Sequence, residues 1–315
     1  ALGIAVCMLA LAAPRAMAKT YKVGTVTKFA EAVQEINKKS SDKINEIFLT
    51  QDIILGGNPN EYTLYTLSRG ETTIKGGGNK ITISNAGITV AKKGTVLNLG
   101  ANGYDGTLTI DGKTSGGFVS VLEGATANMY ENVTLQNWQF AGNACVVIMG
   151  SDSVFNMDGG VIEKCSRAVM ADSGTTFNMS GGEIRNCVSM NDGVGLYADN
   201  STVTIKDGTI SGCKAVNGYG GGLYAKNYST VTIEGGTISG CCTTSDIGMG
   251  GGLYAYHSTI TIGGGTIEKN RAVYGGGVAL NNSWINPITN WKVIGNEAYK
   301  TKRGNGGIGG GIYLD

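Results

Sequence analysis

Proline and charged residues are both scarce in this chain of 315 residues. Only 3 residues are proline and 16% are charged, with 25 Lys and Arg against 24 Asp and Glu. The net charge of +1 does not indicate binding to nucleic acid or to an anionic membrane. The chain has 52 glycines, but they follow no three-residue period and few prolines accompany them, which excludes collagen. So many glycines favour a fold with many tight turns.

Histidine is almost absent, and the cysteines do not replace it as metal ligands. His257 is the single histidine; it lies beside Tyr256 with no Ser, Cys or Asp motif nearby, so we expect it to be incidental. The cysteines recur at one position of a repeat, and a linear stack cannot place four ligands around one ion. We therefore expect no catalytic residues, no metal and no cofactor.

Long apolar runs are absent after the first eighteen residues. Leu2 to Ala13 is apolar and is followed by Ala16-Met17-Ala18 and then by the polar Lys19. This pattern resembles the apolar region and cleavage site of a secretory signal, and it is too short to span a bilayer. We expect residues 1–18 to be a signal peptide, incomplete at its N-terminus. The mature chain is then secreted or held on the extracellular cell surface, with no membrane span.

The chain is rich, by contrast, in internal repeats. Five segments share alternate apolar residues, then a glycine, an isoleucine and a final Cys or Asn; they begin at Val154, Thr176, Thr202, Thr230 and Thr259. The column isoleucines are 22 to 29 residues apart, and this period with alternating apolar residues predicts stacked strands. We predict an all-β, right-handed parallel β-helix over residues 44–315, with about ten coils and a length of about 50 Å.

Residues 19–43 are expected to form an N-terminal cap. Thr27 is a suitable N-cap for a short helix from Lys28 to about Lys39, with Phe29, Val33 and Ile36 on one apolar face. Solenoids need such caps, because the first coil otherwise exposes unpaired backbone groups and apolar side chains.

The last column of the repeat predicts a ladder of small side chains inside the turns. Its members are Cys165, Cys187, Cys213, Cys241, Asn270 and Asn296. Neighbouring strands lie about 4.8 Å apart, which is within the Cα separation of a disulfide. Buried free thiols and disulfides between adjacent coils therefore both remain open for the cysteines.

A column of tyrosines is the best candidate for a binding surface. Each follows an inward Leu or Ile by one residue, so we expect them to face outward on successive coils, interrupted at Ala279: Tyr197, Tyr224, Tyr254 and Tyr313. Exposed aromatic rows suit sugar faces or protein partners. Stacking between adjacent strands could equally explain the column.

The repeat signals resemble a known group of surface proteins. Gly251-Gly252-Leu253 and Gly276-Gly277-Val278, with Ile267 to Asn270 and Val293 to Asn296, are similar to the repeats of polymorphic outer-membrane proteins and adhesin-like β-helix proteins. The resemblance covers about residues 154–315 and implies a right-handed β-helix that mediates attachment to a glycan or to a host or cell-surface partner. The chain departs from the pattern where the family's Phe is Ile or Val and its Asn is Cys.

We therefore expect an exported, non-catalytic protein, adhesin-like or structural. Asp315 lies in the first strand of a further coil, so end-to-end association into a homo-oligomer or filament through this uncapped coil is a further expectation. The alternative is a polysaccharide lyase or hydrolase of pectate-lyase-like architecture, whose carboxylates would be Asp152, Asp172 and Asp199. The sequence shows no coil in which carboxylates and arginine cluster.

Overall fold

The computed structural model describes residues 18–38, 44–58, 61–112, 119–139, 144–286, 290–301, 304 and 306–315. The predicted signal peptide lies outside the described residues except for Ala18. Within these ranges the secondary structure is one helix, α1 (Val26–Lys38), and 36 strands. No helix in this part of the chain is long and apolar enough to cross a membrane.

The strands of the N-terminal half are short and follow one another closely. They are β1 (Lys19–Val23), β2 (Ile44–Leu49), β3 (Ile53–Gly56), β4 (Thr63–Leu67), β5 (Glu71–Lys75), β6 (Lys80–Ser84), β7 (Ala86–Ala91), β8 (Val96–Leu99), β9 (Leu108–Gly112), β10 (Val119–Leu122), β11 (Thr126–Met129), β12 (Val133–Gln136), β13 (Val146–Met149), β14 (Val154–Met157), β15 (Val161–Glu163) and β16 (Val169–Asp172).

The strands of the C-terminal half are also short and closely spaced. They are β17 (Thr176–Met179), β18 (Glu183–Arg185), β19 (Val188–Ser189), β20 (Leu196–Asp199), β21 (Thr202–Ile205), β22 (Thr209–Ser211), β23 (Lys214–Ala215), β24 (Leu223–Lys226), β25 (Thr230–Ile233), β26 (Thr237–Ser239), β27 (Cys242–Thr243), β28 (Leu253–Tyr256), β29 (Thr259–Ile262), β30 (Thr266–Glu268), β31 (Arg271–Ala272), β32 (Val278–Asn281), β33 (Trp284–Ile285), β34 (Lys292–Ile294), β35 (Glu297–Ala298) and β36 (Ile312–Leu314).

These strands stack into three long sheets and one short sheet. Sheet A has 11 strands from β1 to β33, sheet B has 10 from β3 to β34, and sheet C has 10 from β4 to β36. Sheet D has 5 strands, β19 to β35, and in the later coils it lies between sheets B and C along the chain. Consecutive strands of each sheet pair in parallel, as from β14 to β17 and on to β21. The predicted parallel solenoid of about ten coils is confirmed.

The predicted core columns are confirmed residue by residue. Phe155 pairs with Phe177, and their rings stack at a centroid separation of 6.1 Å. Ile162, Ile184 and Ile210 pair in the same way on sheet B. These side chains are buried, so the apolar side chains of each coil pack on those of the coils before and after it.

The glycine column of the repeat lies at the turn from sheet A to sheet B. Its φ angles run from 77° at Gly236 to 99° at Gly208, the left-handed region that glycine enters without steric cost. A Cβ at Gly182 would also lie 2.7 Å from the carbonyl oxygen of Gly160. Glycine is therefore required here both by the backbone angle and by the close stacking of the coils.

The N-terminal cap is present, but its helix begins earlier than predicted. Helix α1 starts at Val26, and the hydroxyl of Thr25 accepts a hydrogen bond from the backbone N–H of Lys28 at 3.2 Å. The prediction of Thr27 as the N-cap was wrong, because Thr27 already lies in the first helical turn. Phe29 packs edge-on against Tyr65 at 5.4 Å. Strand β1, which the sequence analysis missed, extends sheet A by pairing with β2.

Candidate binding surface

The predicted tyrosine column exists on the outer side of sheet C. Tyr197, Tyr224 and Tyr254 are paired in register on β20, β24 and β28. The rings of Tyr224 and Tyr254 stack at 5.1 Å, and Tyr197 meets Tyr224 edge-on at 5.7 Å. Ala279 separates this stack from Tyr313, as the sequence predicts.

The expectation that this column is an open aromatic row was wrong at its centre. Tyr224 and Tyr254 are only 7% and 6% exposed. The segment between sheets D and C folds back over sheet C and places Tyr219 and Met249 on top of the stack; the rings of Tyr219 and Tyr254 are 5.2 Å apart. Burial in this second, smaller core raises the pKa of Tyr254 to about 12. Apolar surface that would otherwise face water is thereby buried.

Tyr197, at one end of the stack, is bound on several sides by charged groups. The guanidinium of Arg167 lies 4.5 Å from its ring centroid, and its hydroxyl donates to Asp199 at 3.2 Å. Lys226 pairs with the same carboxylate at 3.0 Å. Arg167 is itself buried and donates to the backbone oxygen of Asp192. Because these groups satisfy one another, Tyr197 is held in place rather than presented to solvent.

The Cys and Asn side chains of the predicted ladder lie in one column on successive coils. Cys165, Cys187, Cys213, Cys241 and Asn270 are fully buried, and all six cysteines of the described residues are free thiols. Cys145, which the sequence analysis did not place in the ladder, is in contact with the thiol of Cys165. Burial raises the pKa of Cys145, so this thiol stays protonated and unreactive at neutral pH.

The two asparagines of the ladder bind their neighbours more firmly than the cysteines do. Asn270 accepts from the N–H of Cys241 at 2.8 Å and donates to the oxygen of Ile238 at 2.9 Å. It also donates to the side chain of Asn296 at 3.0 Å. A Cβ on Gly252 would lie 2.8 Å from the amide nitrogen of Asn270, which explains the second glycine of the Gly-Gly-aliphatic signal.

Two of the three aspartates of the enzymatic alternative lie side by side, because Asp172 and Asp199 are register partners on β16 and β20, while Asp152 stands in the turn after β13. Asp152 pairs with Lys93 at 3.1 Å, Asp172 accepts from Ser173 at 3.0 Å, and Asp199 is held by Lys226. Each carboxylate is therefore engaged by a neighbour on its own surface.

A cluster of carboxylates with arginine does occur on sheet B, contrary to the sequence analysis. The carboxylate of Glu163 binds Arg185 at 2.8 Å and Lys164 at 2.8 Å, and Arg185 also reaches Glu183. The hydrogen bonds from Lys164 and Arg185 lower the pKa of Glu163. The cluster arises because Glu163 and Arg185 stand in register on β15 and β18, a pairing that the one-dimensional repeat does not make obvious.

The outer face of sheet A carries a second ladder that the sequence analysis missed. The amides of Asn98, Asn128, Asn156 and Asn178 are hydrogen-bonded one to the next at 2.8 to 2.9 Å. The same column continues as Thr204, Thr232 and Thr261. From β8 to β29 the outward positions of this sheet hold only Thr, Asn and Val, so the face is regular and uncharged.

Two strongly exposed aromatic side chains lie where sheet C turns into sheet A. Tyr228 and Trp284 are 83% and 77% exposed, and the ring of His257 lies 6.5 Å from that of Tyr228. We call Tyr228, His257 and Trp284 the aromatic corner. A pocket of about 370 Å³ opens beside it, lined by His257, Asn282, Ser283, Trp284 and Asp315. Of these residues the sequence analysis discussed only His257 and Asp315, and neither as a binding residue.

The described residues contain no group of three or more His, Cys, Asp or Glu side chains placed to hold a metal ion. A family model described as "Right handed beta helix region" matches residues 145–315, more than half of the chain. Searches of curated proteins and of solved structures find no match.

Proposed function

The chain belongs to the right-handed β-helix family, and on this fold we propose that it is an exported, non-catalytic binding scaffold. It acts outside the cell or on the cell surface, in an adhesin-like or structural role. Its lateral faces bind a glycan or a cell-surface partner. The fold alone does not separate this role from catalysis, because the same solenoid carries both enzymes and non-enzymes.

The observation that carries the proposal is the mutual pairing of side chains along the outer columns. Asparagines of sheet A bind one another, and the Glu163, Arg185 and Glu183 cluster is paired within itself. A polysaccharide-cleaving site needs carboxylates directed at the substrate rather than at neighbouring cations. Export is supported by the apolar segment from Leu2 to Ala13, followed by a small-residue cleavage pattern.

The test of export and surface placement uses the source cells. Antibodies raised against the whole protein should label intact cells or detect the protein in the medium, and N-terminal sequencing should begin at Lys19. Protein recovered only after lysis, with residues 1–18 still attached, would contradict the proposal.

The enzymatic alternative has a specific observation in its favour. Glu163 and Arg185 combine a buried, ionised carboxylate with a half-exposed guanidinium on one sheet. This alternative predicts product release from a polysaccharide, lost in Glu163→Gln.

A further inference from the structure

The aromatic corner lies in the turns from sheet C to sheet A, where Tyr228 and His257 stand in place of smaller residues. In three coils this turn carries asparagine in the left-handed conformation, with φ of 46° at Asn200, 51° at Asn227 and 47° at Asn282. Two earlier coils carry a glycine as a second left-handed residue, with φ of 75° at Gly124 and 78° at Gly174. His257 takes the asparagine position in its coil, and Tyr228 takes the glycine position after Asn227.

Tyr228 carries backbone strain. Its φ of 66° lies in a region that bulky side chains seldom adopt, whereas histidine, with φ of 46° at His257, is one of the residues enriched there. Strained residues persist where the surroundings hold them, and they cluster at ligand-binding sites. Here the backbone N–H of Tyr228 donates to the carbonyl oxygen of His257 at 2.6 Å, so the two turns are locked together.

The residues of the aromatic corner have their rings toward solvent instead of in a core. The ring of Tyr228 is far more exposed than those of Tyr224 and Tyr254 on the neighbouring strands. The ring of Tyr256 packs edge-on against the imidazole of His257, with ring centroids 4.3 Å apart. Trp284, which pairs with Thr259 on sheet A, lies on the far side of His257. Three rings are therefore presented in a row along the axis of the rod.

The pocket beside these rings adds polar groups of the kind that sugar hydroxyls bind. Asn282 brings an amide that also donates to Asn281, Asp315 a carboxylate that also accepts from Asn281, and His257 its ring nitrogens, and all three line the same pocket as Trp284. Specific small-molecule sites combine an apolar or aromatic wall with a few polar groups in this way. Pyranose rings match such a wall, because one face is lined by C–H groups and the rim by hydroxyls.

We propose that the aromatic corner, together with Asn282 and Asp315, binds a neutral oligosaccharide. The inference rests on the proposed function and gives it a site and a ligand class. Strands of neighbouring coils are about 4.8 Å apart, so the two coils from Tyr228 to Trp284 span about 9.6 Å, room for a short oligosaccharide laid along the rod.

Charge selects against an acidic sugar at this site. Among the described residues, the lining contains the carboxylate of Asp315 and neither lysine nor arginine. A uronate polymer would place its own carboxylates against Asp315 without a cation to offset them. Neutral hexose, pentose and N-acetylhexosamine oligomers meet no such repulsion.

The test is a direct binding measurement with defined probes. An array of glucan, mannan, xylan and N-acetylglucosamine oligomers, with oligogalacturonates as acidic probes, identifies a ligand for the whole protein. Titration calorimetry with that ligand then compares Trp284→Ala, Tyr228→Asn and His257→Asn with the wild type. Tyr62→Ala, an exposed tyrosine outside the pocket, is the control.

The asparagine variants separate a binding role from a folding role. His257→Asn restores the residue that three other coils carry at this position, and asparagine tolerates the left-handed angle of Tyr228, so both variants should fold at least as stably as the wild type. We expect each to weaken binding by roughly threefold to tenfold and Trp284→Ala by about tenfold or more. Tyr62→Ala should bind as the wild type does.

Three results would overturn the inference. They are a preference for oligogalacturonates, no binding of any neutral probe, or neutral binding that the Trp284 and Tyr228 variants leave unchanged. In the last case the protein still binds glycans, so the proposed function survives while the assigned site is wrong. Cleavage of a probe would instead contradict the proposed function.

Discussion

Glu163 illustrates how single residues on this surface are held by their neighbours in adjacent coils. Its carboxylate is bound by Arg185 from the next coil and by Lys164 beside it. Hydrogen bonds to the ionised form lower the pKa of Glu163, so the folded state favours the charged carboxylate. The pairing stabilises the junction of two coils at a point where the sequence alone suggests only solvated charges.

The lowered pKa of Glu163 predicts a pH-dependent effect of Glu163→Gln. A carboxylate with a depressed pKa in the folded protein stabilises it above the unfolded pKa, about 4.3, and loses that contribution as the pH falls through the folded pKa. The variant should therefore unfold at a lower temperature than the wild type at pH 7, and the two should converge near pH 2. Thermal unfolding followed by circular dichroism measures this. An equal difference at both pH values would contradict the account.

At the scale of single residues the sequence predicts the core columns. It does not predict that the tyrosines of sheet C are covered or that the turn at Tyr228 is strained. Ile162 and Phe155 recur with the repeat, and stacking in register follows from that recurrence. Tyr224 is buried because Tyr219, on a segment outside the regular strands, folds over it. Tyr228 is left-handed at a turn position that glycine holds in other coils, and its backbone N–H donates to His257 of the next coil. Both are contacts between irregular segments, which a repeat pattern does not encode.

Among the described residues, helix α1 is the one element that differs in kind from the stacked strands. Its buried residues, Phe29, Ala32, Val33 and Ile36, face the first strands of the rod, and Asn37 donates to the backbone oxygen of Thr66 at 2.7 Å. The helix shields apolar side chains of the first coil, as a cap in a solenoid must. The sequence predicts its existence and apolar face but misplaces its start by two residues.

The N-cap assignment predicts opposite outcomes for two neighbouring threonines. Thr25→Ala removes the hydroxyl that accepts from Lys28 and should lower the free energy of unfolding by about 1 kcal/mol. Thr27→Ala, inside the helix, should have little effect or a slight stabilising one, because alanine has the higher helix propensity. Urea unfolding of both variants provides the comparison. A larger loss for Thr27→Ala would restore the original assignment.

The whole molecule is a rod whose lateral faces have distinct chemistry. From β8 to β29 sheet A presents uncharged Asn, Thr and Val side chains, sheet B carries the Glu163 and Arg185 cluster, and a second aromatic core covers sheet C from β20 onward. The aromatic corner lies between sheets C and A. End-to-end association through the last coil stays a prediction.

Binding without turnover is the central claim, and one measurement tests it most directly. The whole protein is incubated with insoluble neutral polysaccharides and with polygalacturonate; bound protein is measured by sedimentation and released sugars by mass spectrometry. The account predicts protein retained on a neutral polymer whose chains keep their length. Shortened or unsaturated products that disappear in Glu163→Gln would contradict it and make this β-helix an enzyme.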